Sequence, residues 1–283
     1  MKHKEPETKW IHQAKTMWGA QHFPFLELST QESYECSSHQ TVLSKIEQML
    51  SLGCSGILTG ANGTGKSHLL RQLSNRLHAN GNQVIFISHT TIKPNALIRS
   101  ICRELGIKAT YRKEDNVCRV HEYCAGQQPT QTILLIDEAA NLPQETLEEL
   151  RLLKCYISTD EDRQYSLPVL LCGDENLYHR LCMRYFKPLL SRLHFTKELP
   201  AFDQAETSEY LNHHLHSSRI HKKIFDTQSI DVIFQVSAGN PRIINSIGLQ
   251  AIGLACERKQ DKITSELLTE VIEEIPWLNL LQN

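Results

Sequence analysis

Gly56-Ile57-Leu58-Thr59-Gly60-Ala61-Asn62-Gly63-Thr64-Gly65-Lys66-Ser67 is the stretch that decides the fold. Its first four residues form a short apolar strand, its last eight fit the pattern G-x4-G-K-[ST], and residues 66–79 behind them carry helical periodicity. A strand passing through a glycine-rich turn into a helix makes an anion cradle. Glycines at 60, 63 and 65 let the backbone turn its amides inward around a phosphate, and the helix N-terminus adds partial positive charge. Lys66 is spaced to reach the β- and γ-phosphates of a nucleotide, and the Ser67 hydroxyl to ligate Mg²⁺. The expected nucleotide contacts are therefore Gly60, Ala61, Asn62, Gly63, Thr64, Gly65, Lys66, Ser67 and the following His68.

Outward from this loop, strand-like and helix-like segments alternate. Strands are expected at 83–88, 132–137, 168–173 and 194–198, and helices at 94–105, from Pro143 onward with the stripe Leu147, Leu150, Leu153, and at 175–183. Continuous apolar strands separated by helices imply an α/β fold whose parallel sheet is covered on both faces. Around Leu199-Pro200-Ala201-Phe202 the pattern changes, and 204–217, 227–237, 241–257 and 264–274 read as helices with no strand between them. Three parts are expected: an opening segment with a first helix over 1–50, an α/β core over 51–200, and a small all-α unit over 201–283.

A second motif completes the first. Ile133-Leu134-Leu135-Ile136-Asp137-Glu138 is a buried strand ending in two acids. The carboxyl ends of parallel strands face the ligand crevice, so Asp137 is expected beside the phosphate loop, holding Mg²⁺, with Glu138 polarising an attacking water. An NKxD-like base-specificity element and a pair of lid arginines are absent, which disfavours a small GTPase or an adenylate kinase. The adjacent Asp-Glu points instead to P-loop ATPases that activate water.

Composition bounds these readings. The 283 residues carry 30 Lys plus Arg against 32 Asp plus Glu, with 40% hydrophobic and 22% charged residues. That balance excludes wholesale disorder, a small disulfide-stapled module and a globally basic nucleic-acid coat. Nine cysteines, an odd number set mostly in apolar or helical patterns, indicate a reduced, cytoplasmic setting. Cys118-x2-His121-x2-Cys124 has no fourth ligand at a familiar spacing, so it reads as buried thiols on a helix. The N-terminus lacks an apolar h-region and no run approaches the ~18 apolar residues of a membrane span. A soluble, unexported chain is expected.

Five ordered motifs resemble the AAA+ ATPases of the ExeA/TniB group, relatives of the transposition regulators TnsC and phage Mu B protein. Trp18-Gly19-Ala20-Gln21-His22-Phe23-Pro24-Phe25 is similar to that group's FGL-x-x-x-PF opening. Asp137-Glu138-Ala139-Ala140-Asn141-Leu142 is similar to its DEAQ-L box, with Ala140 in place of glutamine. Gly173-Asp174-Glu175-Asn176-Leu177 resembles GQPEL, Ser191-Arg192-Leu193 resembles QRI, and Ser237 to Asn245 resembles S-x-G-x-PR-x-IN. The resemblance implies a P-loop AAA+ core followed by a helical lid, and ATP with Mg²⁺ as cofactors. It implies that the γ-phosphate sensor falls at Asp174, that Arg192 reaches a neighbouring subunit's nucleotide, and that Arg242 touches ATP from the lid. The catalytic set is then Lys66, Asp137, Glu138, Asp174 and Arg192. A carboxylate at 174 beside a polyanion is repulsive, so the sensing role shifts to Asn176 or turnover is slow. In this group the opening segment folds over the base, which places Phe25, with Tyr34 and His39, near adenine.

Two jobs are known in the group. A secretion ATPase carries a membrane span and a peptidoglycan-binding part beyond its ATPase, neither of which this sequence contains. A transposition helper needs a soluble ATPase that oligomerises on DNA as a ring or helical filament and serves a transposase, with or without a target-selection protein. Local charge favours the helper. Lys93, Arg99, Arg103, Lys108, Arg112, Lys113 and Arg119 stand against Glu104, Glu114 and Asp115 over residues 93–119, a stretch suited to sequence-independent contact with DNA phosphates. The expected DNA contacts are Lys93, Arg99, Arg103, Lys108, Arg112 and Lys113, with Tyr111 among them to stack or to pack. A second basic cluster is Arg219, His221, Lys222 and Lys223. The alternatives are an ExeA-like secretion ATPase or a signalling ATPase that does not act on DNA, and an inactive nucleotide-dependent scaffold.

Overall fold

A computed structural model describes residues 9–26, 34–88, 96–127, 130–155, 167–275 and 277. The chain divides into two compact units, one drawn from Met1–Ser38 together with Ala201–Asn283, the other His39–Pro200.

The His39–Pro200 unit is built on five parallel strands: β1 (Gly56–Thr59), β2 (Gln83–Ile87), β3 (Thr132–Ile136), β4 (Val169–Cys172) and β5 (Phe195–Glu198). Their order across the sheet is β2-β3-β4-β1-β5. Alternation along each strand divides the core into two layers. Ile57, Ile85, Leu134, Ile136, Val169 and Leu171 face one side, where α4 (Leu97–Glu104), α5 (Lys113–Gly126), α6 (Gln144–Cys155) and α7 (Glu175–Cys182) supply the apolar cover. Leu58, Ile133, Leu135, Leu170 and Cys172 face the other, against α2 (Ser37–Ser51) and α3 (Lys66–Ala79). The four-residue helix α8 (Lys187–Leu190) leads into β5.

Strands β1, β3 and β4 are buried along their whole length, which is why their sequences are unbroken apolar runs rather than alternating ones. The chain leaves β1 through α3 for the distant β2, whereas it leaves β4 through α7 and α8 for β5 on the opposite side of β1. The carboxyl ends of β1 and β4 therefore flank a topological switch point, the place where open α/β sheets bind ligands.

The other unit contains α1 (Lys9–Trp18), α9 (Gln204–Ser217), α10 (Thr227–Ser237), α11 (Pro241–Arg258) and α12 (Ser265–Glu274). Trp10, Ala14 and Trp18 recur at helical spacing along α1 and join this unit's core. The Trp10 and Trp18 indoles donate to Glu257 Oε1 at 2.8 Å and the Asp261 carbonyl at 3.2 Å. Gly248 and Gly253 of α11 are seats for aromatic rings: a Cβ at either would stand 2.8 Å from Phe25 or Trp10 respectively.

The expected partition is thereby altered. The change of pattern near residue 200 coincides with the end of the α/β unit, but residues 1–50 are not a part of their own. Helix α1 and the Phe23–Phe25 turn belong with the C-terminal helices, and α2 after its first residues belongs with the sheet. The α/β unit is fastened at its ends, where His39 Nε2 and the Pro200 carbonyl oxygen lie 2.9 Å apart.

Candidate nucleotide site

The loop between β1 and α3 is shaped by its glycines. A Cβ at Gly60 would meet the Leu199 carbonyl oxygen at 2.8 Å, so only glycine lets the loop leave β1 this close to the end of β5. Gly65 is the N-cap of α3 with φ of 98°, a left-handed conformation that frees the first amides of α3 to point along the helix axis. Thr64, 1% exposed, closes the loop by donating its hydroxyl to the Ala61 carbonyl at 2.9 Å.

Lys66 is buried, 7% exposed, and its ammonium donates to the Gly60 and Ala61 carbonyls at 2.8 and 2.9 Å. A buried ammonium held by two neutral carbonyls is a strong site for an anion. Ser67 follows in the first turn, half-buried. His68 behind it has a buried Nε2 without a hydrogen-bond partner, and burial, then Arg71 and His39, hold its imidazole below the ordinary histidine range. His39 also approaches the loop, its Cε1 4.0 Å from where a Gly65 Cβ would lie.

Asp137 stands at the carboxyl end of β3, 6% exposed, where its N–H donates to the Ile87 carbonyl at 2.8 Å. Its Oδ1 accepts the Glu138 N–H at 2.9 Å. Glu138 has φ of 52° and ψ of 33°, a left-handed backbone that is uncommon for a side chain of this size and that such sites hold in place by their surroundings. Its carboxylate is exposed and accepts from Asn141 Nδ2 at 3.3 Å. The two neighbouring acids are thus separated in environment, one buried at the strand end and one projecting to solvent.

Sequence reasoning missed two residues here. Cys172, fully buried at the end of β4, donates its thiol to the Asp137 carboxylate. Burial, then Asp137, push that thiol up, against the opposing pull of Lys66. Arg180 on α7 donates from Nη1 to the Ala140 carbonyl at 2.8 Å and lies over the Phe186 ring at 5.5 Å, tying α7 to the single 3-10 turn Ala139–Asn141 after Glu138. A cysteine closing an apolar strand and an arginine two turns into a helix carry no motif, so only the tertiary structure reveals them.

Asp174 takes a structural role that its repulsive charge did not suggest. It is the N-cap of α7, its Oδ1 accepting the Asn176 N–H at 3.1 Å and its Oδ2 accepting from Asn176 Nδ2 at 3.0 Å. Asp174 and Asn176 are therefore one hydrogen-bonded pair at the end of β4. Arg192, half-buried after α8, donates to the Pro188 carbonyl. Its charge, with burial as the larger cause, lowers the nearby Lys154 to about 8.

The remaining expected residues divide by unit. Arg242 is exposed in the first turn of α11, where its N–H donates to Asn240 Oδ1 at 3.0 Å. Phe25 is 4% exposed, stacked on His214 at 4.9 Å and edge-on to Phe225 at 6.2 Å. Its ring is a core side chain of the helical unit. Tyr34 donates to Glu209 Oε2 at 2.7 Å within the same unit's aromatic cluster.

Of the basic stretch, Arg99 and Arg103 are exposed on α4, Lys108 and Arg112 are exposed in the connection to α5, and Lys93 lies outside the described residues. Lys113 turns inward, 3.8 Å from the fully buried Glu149 carboxylate. Of the second basic cluster, Lys222 donates to the Met17 carbonyl at 3.4 Å, and His216 lies 5.8 Å from His221. His121 is buried, with Nε2 2.8 Å from the Leu153 carbonyl, and no metal-holding group of His, Cys, Asp and Glu occurs among the described residues.

Residues 52–181 match the family model described as an AAA domain. That stretch, residues 52–181, carries an AAA domain. It resembles General secretion pathway protein A of Aeromonas hydrophila, 27% identical over 73% of this chain and 38% of that protein. It also resembles the Mu-like prophage FluMu DNA transposition protein B of Haemophilus influenzae, 24% identical over 52% of this chain and 47% of that protein. The chain spans less than half the length of these curated relatives. Cdc6p from Pyrobaculum aerophilum shares the fold with a TM-score of 0.65 at 15% identity, covering 89% of this chain and 70% of that one. The α/β unit thus places the loop of residues 60–65, Asp137 and Asp174 at the carboxyl ends of β1, β3 and β4. No helix among the described residues is long and apolar enough to cross a membrane.

Proposed function

We propose that this chain is a cytoplasmic, ATP-dependent AAA+ ATPase that assembles on DNA and serves a transposase in using target DNA. The observation that carries the reading is the exposed set Arg99, Arg103, Lys108 and Arg112 on the same unit as the phosphate loop. The similarity to a DNA transposition protein B supports it.

In this reading the amides of residues 60–65 and the Lys66 ammonium hold the phosphates of ATP, displacing the loop carbonyls that now accept from Lys66. Ser67 and Asp137 offer oxygen donors alone, the set that suits a hard cation keeping several waters, so they are the residues to hold Mg²⁺. Bound there, Mg²⁺ neutralises charge on the phosphates. Glu138, exposed on its left-handed backbone, orients and deprotonates the attacking water. Asn176, fixed by Asp174, faces the γ-phosphate side. Arg192 of one subunit completes the site of the next, Arg242 contributes from the lid, and a head-to-tail interface of this kind gives rings or open filaments. The four exposed cations meet DNA phosphates without reading sequence. Differential affinity of the ATP and ADP states for DNA and for neighbouring subunits couples hydrolysis to release.

Electrophoretic mobility and negative-stain imaging with random duplex DNA, across a salt series, test this reading with an ATP analogue, with ADP and without nucleotide. Rings or filaments on DNA that need ATP and weaken with salt are expected. No binding in any nucleotide state would overturn the reading. The higher identity and coverage of General secretion pathway protein A favour a second reading, an ATPase of the secretion type without a DNA role. Protein-only assembly indifferent to duplex DNA would select it.

A further inference from the structure

The connection between α4 and α5, residues 105–112, is short and fastened by several hydrogen bonds. Ile107 and Ala109 pack inward against the core. Thr110 is locked to Asn116, a residue only 2% exposed: its N–H and hydroxyl donate to Asn116 Oδ1 at 2.7 and 3.1 Å, and Asn116 Nδ2 donates to its carbonyl at 3.1 Å. The Thr110 hydroxyl also lies 3.0 Å from the Arg112 carbonyl, and Arg119 Nη1 donates to the Lys108 carbonyl at 2.7 Å. At the apex of this framework stands Tyr111, whose side chain is 100% exposed.

A loop this heavily hydrogen-bonded does not leave a whole phenol ring in water for want of order. Burial would recover free energy, and nothing among the described residues buries it. The ring is flanked by exposed Lys108 and Arg112, with Arg103 and Arg119 exposed on the adjoining helices. Cations around a presented aromatic face are the elements of a single-strand contact: charge tracks the phosphates while the ring stacks on a base.

Resting on the DNA-binding reading above, we infer that Tyr111 is a base-stacking contact. It gives this AAA+ domain a preference for DNA with unstacked bases, such as a single strand or a bulge, over intact duplex. Lys108 and Arg112 supply the phosphate attraction, which is indifferent to base stacking. Tyr111 supplies the discrimination. The pre-ordered loop lowers the entropy cost of holding the ring against a base.

Fluorescence anisotropy with labelled duplex, bulged duplex and single-stranded DNA, at matched salt and with an ATP analogue, tests the inference. It is joined by the quenching of a 2-aminopurine placed in the bulge. Wild type is expected to favour bulged and single-stranded DNA and to quench the probe. Tyr111→Ala should lose about ten-fold in affinity for those two ligands, lose the quenching, and keep both its duplex affinity and its salt slope. Tyr111→Phe should behave as wild type, because the ring and not the hydroxyl stacks. Tyr111 makes no core contact, so Tyr111→Ala should melt as wild type does.

Tyr111→Ala binding and quenching like wild type, while Lys108→Gln and Arg112→Gln weaken all three ligands, would overturn the stacking role and leave DNA binding intact. Wild type binding no DNA in any nucleotide state would overturn both. Loss of self-assembly in Tyr111→Ala without loss of discrimination among the DNA ligands would assign the ring to a protein contact and equally overturn the inference.

Discussion

Arg180 Nη1 lies 2.8 Å from the Ala140 carbonyl oxygen, so one guanidinium on α7 grips the turn that begins at Glu138. Because α7 itself starts at the Asp174 cap, the same bond sets the spacing between the acidic ends of β3 and β4. Catalytic groups lose rate steeply when their placement shifts by an ångström or so. Arg180→Ala is therefore expected to lower ATP turnover about ten-fold while leaving the nucleotide Kd within about two-fold. Arg180→Lys, which keeps charge but loses the planar fork, should restore the rate only in part. Steady-state turnover beside fluorescent-nucleotide titration checks both.

Asp174 caps α7 and places a negative charge where a γ-phosphate sensor is expected. Asn caps a helix about as well as Asp, whereas Ala does not. Asp174→Asn should keep stability within about 0.5 kcal/mol and raise turnover, and Asp174→Ala should cost ~1 kcal/mol of stability. Chemical denaturation separates the cap from the charge. A rapid wild-type rate left unchanged in Asp174→Asn would remove the carboxylate from the account of slow turnover.

Lys113 is the one cation of the basic stretch with a buried acidic partner among the described residues. Glu149 is wholly buried and also accepts the Ile98 N–H at 3.3 Å, so the Lys113 ammonium at 3.8 Å faces a carboxylate with no route to water. Removing one partner of such a pair is costly, although the 26% exposure of the lysine side chain moderates it. Lys113→Gln should destabilise the α/β unit by roughly 1–3 kcal/mol with little change in DNA affinity at low temperature. Arg103→Gln should do the reverse, weakening DNA binding and leaving the melting curve in place.

His121 and His214 give the protein an acid limit. Burial, the larger cause in each, lowers both to about 4, and they are 5% and 3% exposed. Their folded pKa values lie below the ordinary 6.5, so the unfolded chain binds protons that the folded chain refuses, and stability falls as pH drops from about 6.5 toward 4. At pH 5 each histidine should cost roughly 2 kcal/mol relative to pH 8. Melting curves across this range should flatten in His214→Phe for the helical unit and in His121→Leu for the α/β unit.

Much of this was legible in the chain itself. Strand β1 and helix α3 begin and end where the glycine-rich loop and the Leu69-Leu70-Leu73-Leu77 stripe put them, because local pattern alone decides those elements. Strands β3 and β4 came out shorter than expected by a residue at one or both ends, although the Asp137 and Gly173 N–H groups still donate to the Ile87 and Leu58 carbonyls of the neighbouring strands. What was not legible depended on distant partners. Helix α1 carries Trp10, Ala14 and Trp18 at a spacing that signals an apolar face, but which helix receives that face is set by residues such as Gly253 far along the chain. Phe25 was placed by the family resemblance alone, and its packing on His214 and Phe225 depends on residues far along the chain. Arg180 and Cys172 act through a backbone carbonyl and a carboxylate brought near only by the sheet order.

The bond between His39 and Pro200 makes the whole α/β unit one closed excursion from the helical unit. On a ribosome this imposes an order of events. Residues 9–26 emerge before the α/β unit, with Trp10, Trp18, Phe23 and Phe25 all destined for a core whose chief helix, α11, begins only at Pro241. The central unit holds its own apolar layers and can fold as soon as β5 is synthesised, whereas the aromatic residues of α1 and the turn after it must wait, uncovered, until α11 has been made. The nascent chain thus carries these aromatic residues uncovered for as long as the segment between them and α11 takes to be made, and that is the interval in which a chaperone would meet it.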